Sequence, residues 1–307
     1  MPIAELEAAA AAGWQAPVQE RLGGWLLRAA DGFTGRANSA LPAGEPGMPL
    51  AEAVGLVREW YRARGLPAMI AVAYPAGRPG ENDLDEVLAD HGWTLRRGAA
   101  TVMTALAGRL ADDRSVGGAV LGGPVLGGPV HGSPVHGSPV HGSPVHGSPV
   151  PDGAIPGGAG RGGAMPGHAE PGVRIEVAGQ PDDDWLGHYH RDGPLPPAAR
   201  HLLRSAPWQA FGSVRADGET IAIGRVAMAG EWAGLTAISV DPAFRRRGLG
   251  TAVTIALANL AAQRGARGIY LQVENDNAAA RALYREIGFG DHHGYHYRVE
   301  PEPGSGL

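Results

Sequence analysis

From Gly117 to Val150 the chain runs in five-residue units, first Leu-Gly-Gly-Pro-Val and then His-Gly-Ser-Pro-Val, with His131, His136, His141 and His146 in one phase. A unit this short, with so few apolar side chains, has no face to bury, so stacking into a solenoid is excluded and an extended, mobile, polyproline-like linker is expected. Regularly spaced histidines can hold a metal ion loosely, but nothing in the tract would orient them, and no metal site is expected. The tract therefore divides the chain into three parts: residues 1–112, a disordered linker over 113–171, and residues 172–302. With 307 residues, 44% of them hydrophobic, the two flanking parts are each long enough to build a core.

Composition narrows the function classes. The formal net charge of -5 argues against a nucleic-acid binder, which needs clustered positive charge. There is no cysteine, hence no disulfide framework, thiolate metal site or cysteine nucleophile. All 26 basic residues are arginine. No basic leader followed by an apolar stretch opens the chain, and no run approaches the roughly 18 apolar residues that span a bilayer, so a soluble, cytoplasmic protein without membrane partners is expected.

Hydrophobic periodicity and Gly/Pro punctuation give a coarse element order. Gly24 to Leu41 reads as two strands about a turn at Asp31-Gly32. A helix over Leu50 to Ala63 ends near Gly65, and a buried strand covers Met69 to Ala73. A helix over Leu84 to Ala89 ends at His91-Gly92-Trp93, and a strand over Ala100 to Ala105 closes the first part. After the linker come a strand (Val173 to Val177), two short helices (Asp182 to His190, Pro197 to Ser205) and three antiparallel strands (Gln209 to Arg215, Thr220 to Met228, Ala233 to Val240). A long helix (Leu249 to Gln263), a buried strand (Gly268 to Glu274), a helix (Ala278 to Ile287) and a last strand (Tyr295 to Val299) follow. The order helix, Arg-Gly, apolar strand, helix, Gly-aromatic, strand thus occurs twice, which fits an internal duplication.

The chemistry concentrates after Val240, in Asp241-Pro242-Ala243-Phe244-Arg245-Arg246-Arg247-Gly248-Leu249-Gly250-Thr251. Glycines at a helix start let backbone N–H groups converge on an anion, the helix dipole adds positive potential, and Arg245, Arg246 and Arg247 supply counter-charge, so a pyrophosphate fits there. The glycine spacing and the preceding antiparallel strands do not match a dinucleotide fingerprint.

Arg245-x-x-Gly248-x-Gly250 after Ile238-Ser239-Val240-Asp241-Pro242 resembles the acetyl-CoA signature of the GNAT acetyltransferases. Leu271-Gln272-Val273-Glu274-Asn275-Asp276-Asn277, with Ala280, Leu283-Tyr284 and Gly288-Phe289, is similar to that family's second conserved block. The resemblance covers about 130 residues. It implies an α+β fold with a central mixed, mostly antiparallel sheet flanked by helices, and transfer of an acetyl group from acetyl-CoA, as cosubstrate and without metal, to a primary amine. The strand Ile238, Ser239, Val240 would pair with the pantetheine arm, and the amides of Arg246, Arg247, Gly248, Leu249, Gly250 and Thr251 would hold the pyrophosphate. Asn277 matches the CoA-contacting asparagine and Tyr284 the general acid. On the residues alone, Asn277 also reads as a helix N-cap and Tyr284 as a core tyrosine.

The general base departs from the family pattern. Where histone-type members carry a strand glutamate this chain has Gly234, and where ribosomal-protein acetylating members carry one it has Gln272. Glu274, two residues along the same strand face, is the leading candidate, with Glu231 or a water chain as alternatives. His188, His190, His292, His293 and His296 lack a ligand-like pattern and read as solvated or substrate-lining.

The first part lacks Arg-x-x-Gly-x-Gly, so it reads as a smaller, degenerate GNAT-like α+β domain that shapes or covers the acceptor site, while the C-terminal part alone carries acetyl-CoA binding. The acceptor implied is a small-molecule or peptide amine. The alternative from another class is a non-catalytic CoA-binding sensor or interaction protein.

Overall fold

A computed structural model describes residues 1–110, 120–122, 174–191 and 193–301. The first part opens with a helix the periodicity did not reveal, α1 (Ile3–Ala12), because its Ala-rich sequence has almost no apolar face. A hairpin follows, β1 (Val18–Leu22) and β2 (Trp25–Ala29), completed by β3 (Leu41–Pro42). Its turn is Gly23-Gly24, not the expected Asp31-Gly32; the latter leads into a single 3₁₀ turn at Gly35–Ala37. Then come α2 (Leu50–Arg62), β4 (Met69–Pro75), α3 (Asp83–Asp90), β5 (Thr94–Leu95) and β6 (Ala100–Leu106). Within the expected linker, Val120–Gly122 forms β7 and pairs in parallel with β8 (Arg174–Ala178); the rest of the predicted disorder lies outside the described residues.

The second part follows the predicted order: α4 (Asp183–Tyr189), α5 (Pro197–Leu203), β9 (Trp208–Ala216), β10 (Glu219–Ala229), β11 (Trp232–Val240), α6 (Leu249–Gln263), β12 (Gly268–Glu274), α7 (Ala278–Glu286) and β13 (Gly290–Val299).

The sheet does not stop at the boundary between the parts. Its order is β4-β13-β6-β12-β11-β10-β9-β8-β7, with β5 on β13. The last strand of the first part, β6, lies between β12 and β13, and the last strand of the second part, β13, lies between β6 and β4. The duplicated order α2-β4-α3-β6 and α6-β12-α7-β13 is therefore closed by an exchange of final strands. Only β11–β12 and β7–β8 are parallel among the described strands; the sheet is mixed and mostly antiparallel.

Alternation along the strands assigns the two faces. Leu235, Leu271, Val273 and Met103 meet Val253, Leu257, Ala261 and Tyr284 of α6 and α7 in the largest core cluster. On the same side, Ile70 and Val72 pack under α2 and α3. The opposite face carries Phe211 and Ile223 beneath α4 and α5, and Ala71, Val102, Tyr270, Tyr295 and Tyr297 beneath α1. Arg225, 1% exposed, ties these elements together by donating to the Leu203 and Gly13 carbonyls at 2.9 and 3.1 Å under the Trp14 ring. Burial lowers its pKa to about 10. Among the described residues no helix is long and apolar enough to cross a membrane.

Candidate active site

The site begins where two parallel strands part. β11 and β12 are paired from Trp232/Gly268 to Leu235/Leu271 and no further. On its other side β11 continues against β10, but with a bulge: Arg225 faces Thr236 while Ile223 faces Ser239. Ala237 takes up the extra length at φ 56°, an unusual conformation for a residue with a Cβ. From Thr236 to Val240 the strand is half-buried and has no strand partner toward β12, so its main-chain groups face an open wedge.

The loop after β11 delivers backbone N–H groups to the mouth of that wedge. Asp241 Oδ1 accepts from Ala243 N at 2.9 Å and shapes the first turn. Arg246 and Gly248 then adopt positive φ, 66° and 75°, and Gly248 caps α6. A non-glycine residue at Gly248 would be strained. The first intrahelical donor of this turn is Ala252, to Gly248 O, which leaves the amides of Leu249, Gly250 and Thr251 without a helical partner at the helix start, as an anion would need. Arg245 reaches back to the Val240 carbonyl at 3.4 Å, and Arg247 lies over the Phe244 ring at 5.1 Å. Arg246 and Arg247 are exposed.

α7 crosses this helix start. A Cβ built on Gly250 lies 3.9 Å from Leu283 Cδ1 and 3.7 Å from Val240 Cγ2, so α6, α7 and the end of β11 converge there. Asn277 caps α7, its side-chain oxygen accepting from Ala280 N at 3.1 Å, the N-cap reading of that residue; its amide nitrogen still has donors to offer. Tyr284 is 9% exposed and edge-on to Phe289, with ring centroids 5.9 Å apart. Burial pushes its hydroxyl up to about 12, so it is protonated throughout the neutral range.

The carboxylate positions are rearranged for visible reasons. A Cβ at Gly234 would collide with the ring of Tyr270, which fills that place from the adjacent strand. Tyr270 is buried, and burial raises its hydroxyl to about 12. Gln272, the first residue of β12 beyond the paired segment, is held by Arg36 Nη1. Glu274 stands at the open end of β12, half-buried, with Oε1 beside Gly98. Glu231 is at the paired end, exposed and bridged to Arg267 at 3.1 Å, which removes it from the wedge.

Sequence reasoning missed the wall opposite α6. Beneath α1, Glu7, Trp14, Arg28, Arg36 and Gln272 line a narrow crevice with Tyr297. Gln272 stands out in the sequence only as the place of a family glutamate, and its grouping with Glu7, Trp14, Arg28 and Arg36 is not legible locally, because they meet only after α1 folds across the sheet. The histidines of β13 also need correcting. His293 is buried against Glu7 (2.8 Å) and His296 against Asp85 (2.7 Å), and His292 binds the Met1 carbonyl at 3.0 Å. These partners lie more than 200 residues away, beyond the reach of any local pattern. His188, expected to be solvated or substrate-lining, is buried, and burial lowers its pKa. Among the described residues no group of three or more metal-ligating side chains occurs.

Comparison with known proteins matches residues 2–81 and 164–298 to the family described as "Probable histone acetyltransferase Rv0428c C-terminal". The chain is 25% identical over 303 residues to the "Uncharacterized N-acetyltransferase YobR" of Bacillus subtilis, covering 97% of this chain and 98% of that one. It is 34% identical over 102 residues to the "N-alpha-acetyltransferase RimI" of Mycobacterium tuberculosis, covering 32% of this chain and 63% of the relative. Among solved structures, a GCN5-related N-acetyltransferase from Kribbella flavida superposes with a TM-score of 0.59 at 16% identity, over 99% of this chain and 97% of that one.

Proposed function

The chain belongs to the GNAT N-acetyltransferase family, and from that premise we propose that it transfers an acetyl group from acetyl-CoA to a primary amine in the wedge between β11 and β12. The observation that carries this reading is the stretch Thr236 to Val240, open on its β12 side and ending at a helix start whose first amides are not taken up by the helix. A main chain left open beside free amides and Arg245 to Arg247 suits a cosubstrate with an amide-bearing arm and a pyrophosphate.

In this reading Ile238, Ser239 and Val240 hold the arm, and Arg245 with the amides of Arg246 to Thr251 holds the phosphates. Asn277 donates from its side-chain amide. Acetyl-CoA supplies the activated acyl group. Backbone N–H at the bulge faces the acyl oxygen as negative charge develops there. Glu274, at the open end of β12, takes the proton of the incoming ammonium directly or through water. Tyr284, protonated at neutral pH, gives its proton to the departing sulfur.

The test combines calorimetric titration of the full chain with acetyl-CoA and a thiol-release assay across pooled amines, amino acids and peptides. Binding together with amine-dependent thiol release is expected. Binding without release by any amine would favour the non-catalytic sensor, and no binding would refute the site.

A further inference from the structure

Under α1, on the face of the sheet away from α6, the crevice has about 20 Å³ open to a water-sized group. That is room for about one water-sized group, so only the polar tip of an acceptor can enter and a bulky side chain is excluded. Three charged residues line it, Glu7, Arg28 and Arg36, the last of which holds Gln272. Glu7, from α1, is hydrogen-bonded to His293, and Arg28, from β2, is 5% exposed.

Arg28 is the unusual one. Its guanidinium donates to the Ser39 carbonyl from Nε at 3.0 Å and to Ser39 Oγ from Nη2 at 2.9 Å, both neutral oxygens. Among the described residues it forms no ion pair, and Nη1 has no hydrogen-bond partner. Desolvation by burial lowers its pKa, partly offset by the Tyr297, Tyr61 and Glu7 side chains and reinforced by the like charge of Arg36. A guanidinium enclosed without a counter-ion is costly, while its planar fork is suited to one incoming carboxylate. The same crevice reaches Gln272, the residue of β12 where the wedge opens.

We propose that this crevice is the acceptor's head-group site, with Arg28 receiving a carboxylate and Glu7 facing the ammonium, so that the acceptor is a small amine that also carries a carboxylate, an amino acid in chemical class. The assignment rests on the acetyl-transfer reading for its place in a reaction, but the binding itself does not.

The experiment uses the full chain and two sets of probes, the common α-amino acids and their α-carboxamides. Each is measured by calorimetry without acetyl-CoA and by thiol release with it, for wild type, Arg28→Gln and Arg28→Lys. Acetyl-CoA affinity and circular dichroism report whether each variant is folded. At least one amino acid should be preferred over its amide by about 10- to 100-fold, the range of a charge-assisted hydrogen-bonded pair. The preference should fall to within about threefold in Arg28→Gln and return in part in Arg28→Lys, which keeps the charge but loses the fork. Equal handling of acids and amides by the wild type overturns the proposal, whether or not either variant folds. An unchanged preference in folded Arg28→Gln also overturns it. Amino-acid binding without thiol release supports the subsite and refutes the transferase reading; thiol release with amines lacking a carboxylate, and none with amino acids, does the reverse.

Discussion

Cutting the chain between residues 110 and 174 should leave one particle, because the strands that close each part belong to the other. For the C-terminal piece alone, the loss can be worked from the side chains that would be missing. Val102, Met103 and Leu110, each 6% exposed or less, bury against it, along with Ala107. At about 1.5–3 kcal/mol for each large side chain, their removal costs about 6 kcal/mol. The seven residues of β12 and five of β13 that register with β6 would also lose their partners. Since a whole domain is stable by about 5–15 kcal/mol, residues 174–301 should not hold a native fold by themselves. A protease site placed in the repeat, followed by gel filtration, gives the assay. The two fragments should co-elute at the intact mass and separate only in denaturant, and the purified C-terminal fragment should show no cooperative melt and no acetyl-CoA binding. A lone C-terminal fragment melting within a few degrees of the intact chain, with acetyl-CoA affinity retained, would refute the reasoning and restore the independent catalytic part that the sequence suggests.

Three substitutions probe the site and its frame. Tyr284→Phe should lower kcat by about 10²-fold with acetyl-CoA affinity little changed and stability altered by about 1 kcal/mol or less, read from steady-state kinetics and melting; wild-type kcat would leave the tyrosine as scaffold. Gly234→Ala should destabilise by about 1–3 kcal/mol, since Tyr270 occupies the space, and an unchanged Tm would show that the ring moves freely. Asp85 would be raised by burial, but hydrogen bonds and charge from Arg298 and His296 outweigh this and lower its pKa. Its contribution is thus present above the unfolded carboxylate value of about 4 and lost as pH falls through the lower folded value, so the Tm gap between wild type and Asp85→Asn should shrink below about pH 4.

The loop and helix start proposed to hold the phosphates were legible as local structure. Arg245 to Thr251, the start of α6 and the bounds of β12 all follow from glycine placement and apolar spacing within a few residues. The α+β order was legible for the same reason. The opposite side, proposed above to take the acceptor, was not. Gly234 without Tyr270 is only a missing glutamate, and Gln272 without Arg36 is only a neutral residue. Glu7 and Arg28 acquire meaning through tertiary packing over hundreds of residues. The strand exchange escaped because β6 and β13 carry the same pattern whichever part they pair with; alternation specifies a buried face but does not name the neighbour. The Gly23-Gly24 turn was missed because Asp31-Gly32 offers an equally good local signal, and pairing with the early strand β1 decided between them.

The exchange of final strands also sets a timetable for the growing chain. When β4 and β6 leave the ribosome their shared neighbour β13 is still about 190 residues from synthesis, and β6 must also wait for β12. The first part therefore emerges with unpaired strand edges on both sides of a gap that only the end of the chain can fill, a high-contact-order closure of the slow kind. During that interval Val102 and Met103, buried against residues of the second part in the finished sheet, lack their final cover, and open strand edges are templates for pairing with other chains. Refolding yield should accordingly fall with protein concentration more steeply than for a single-part acetyltransferase, and a chain truncated before Gly290 should aggregate rather than accumulate as a soluble first part.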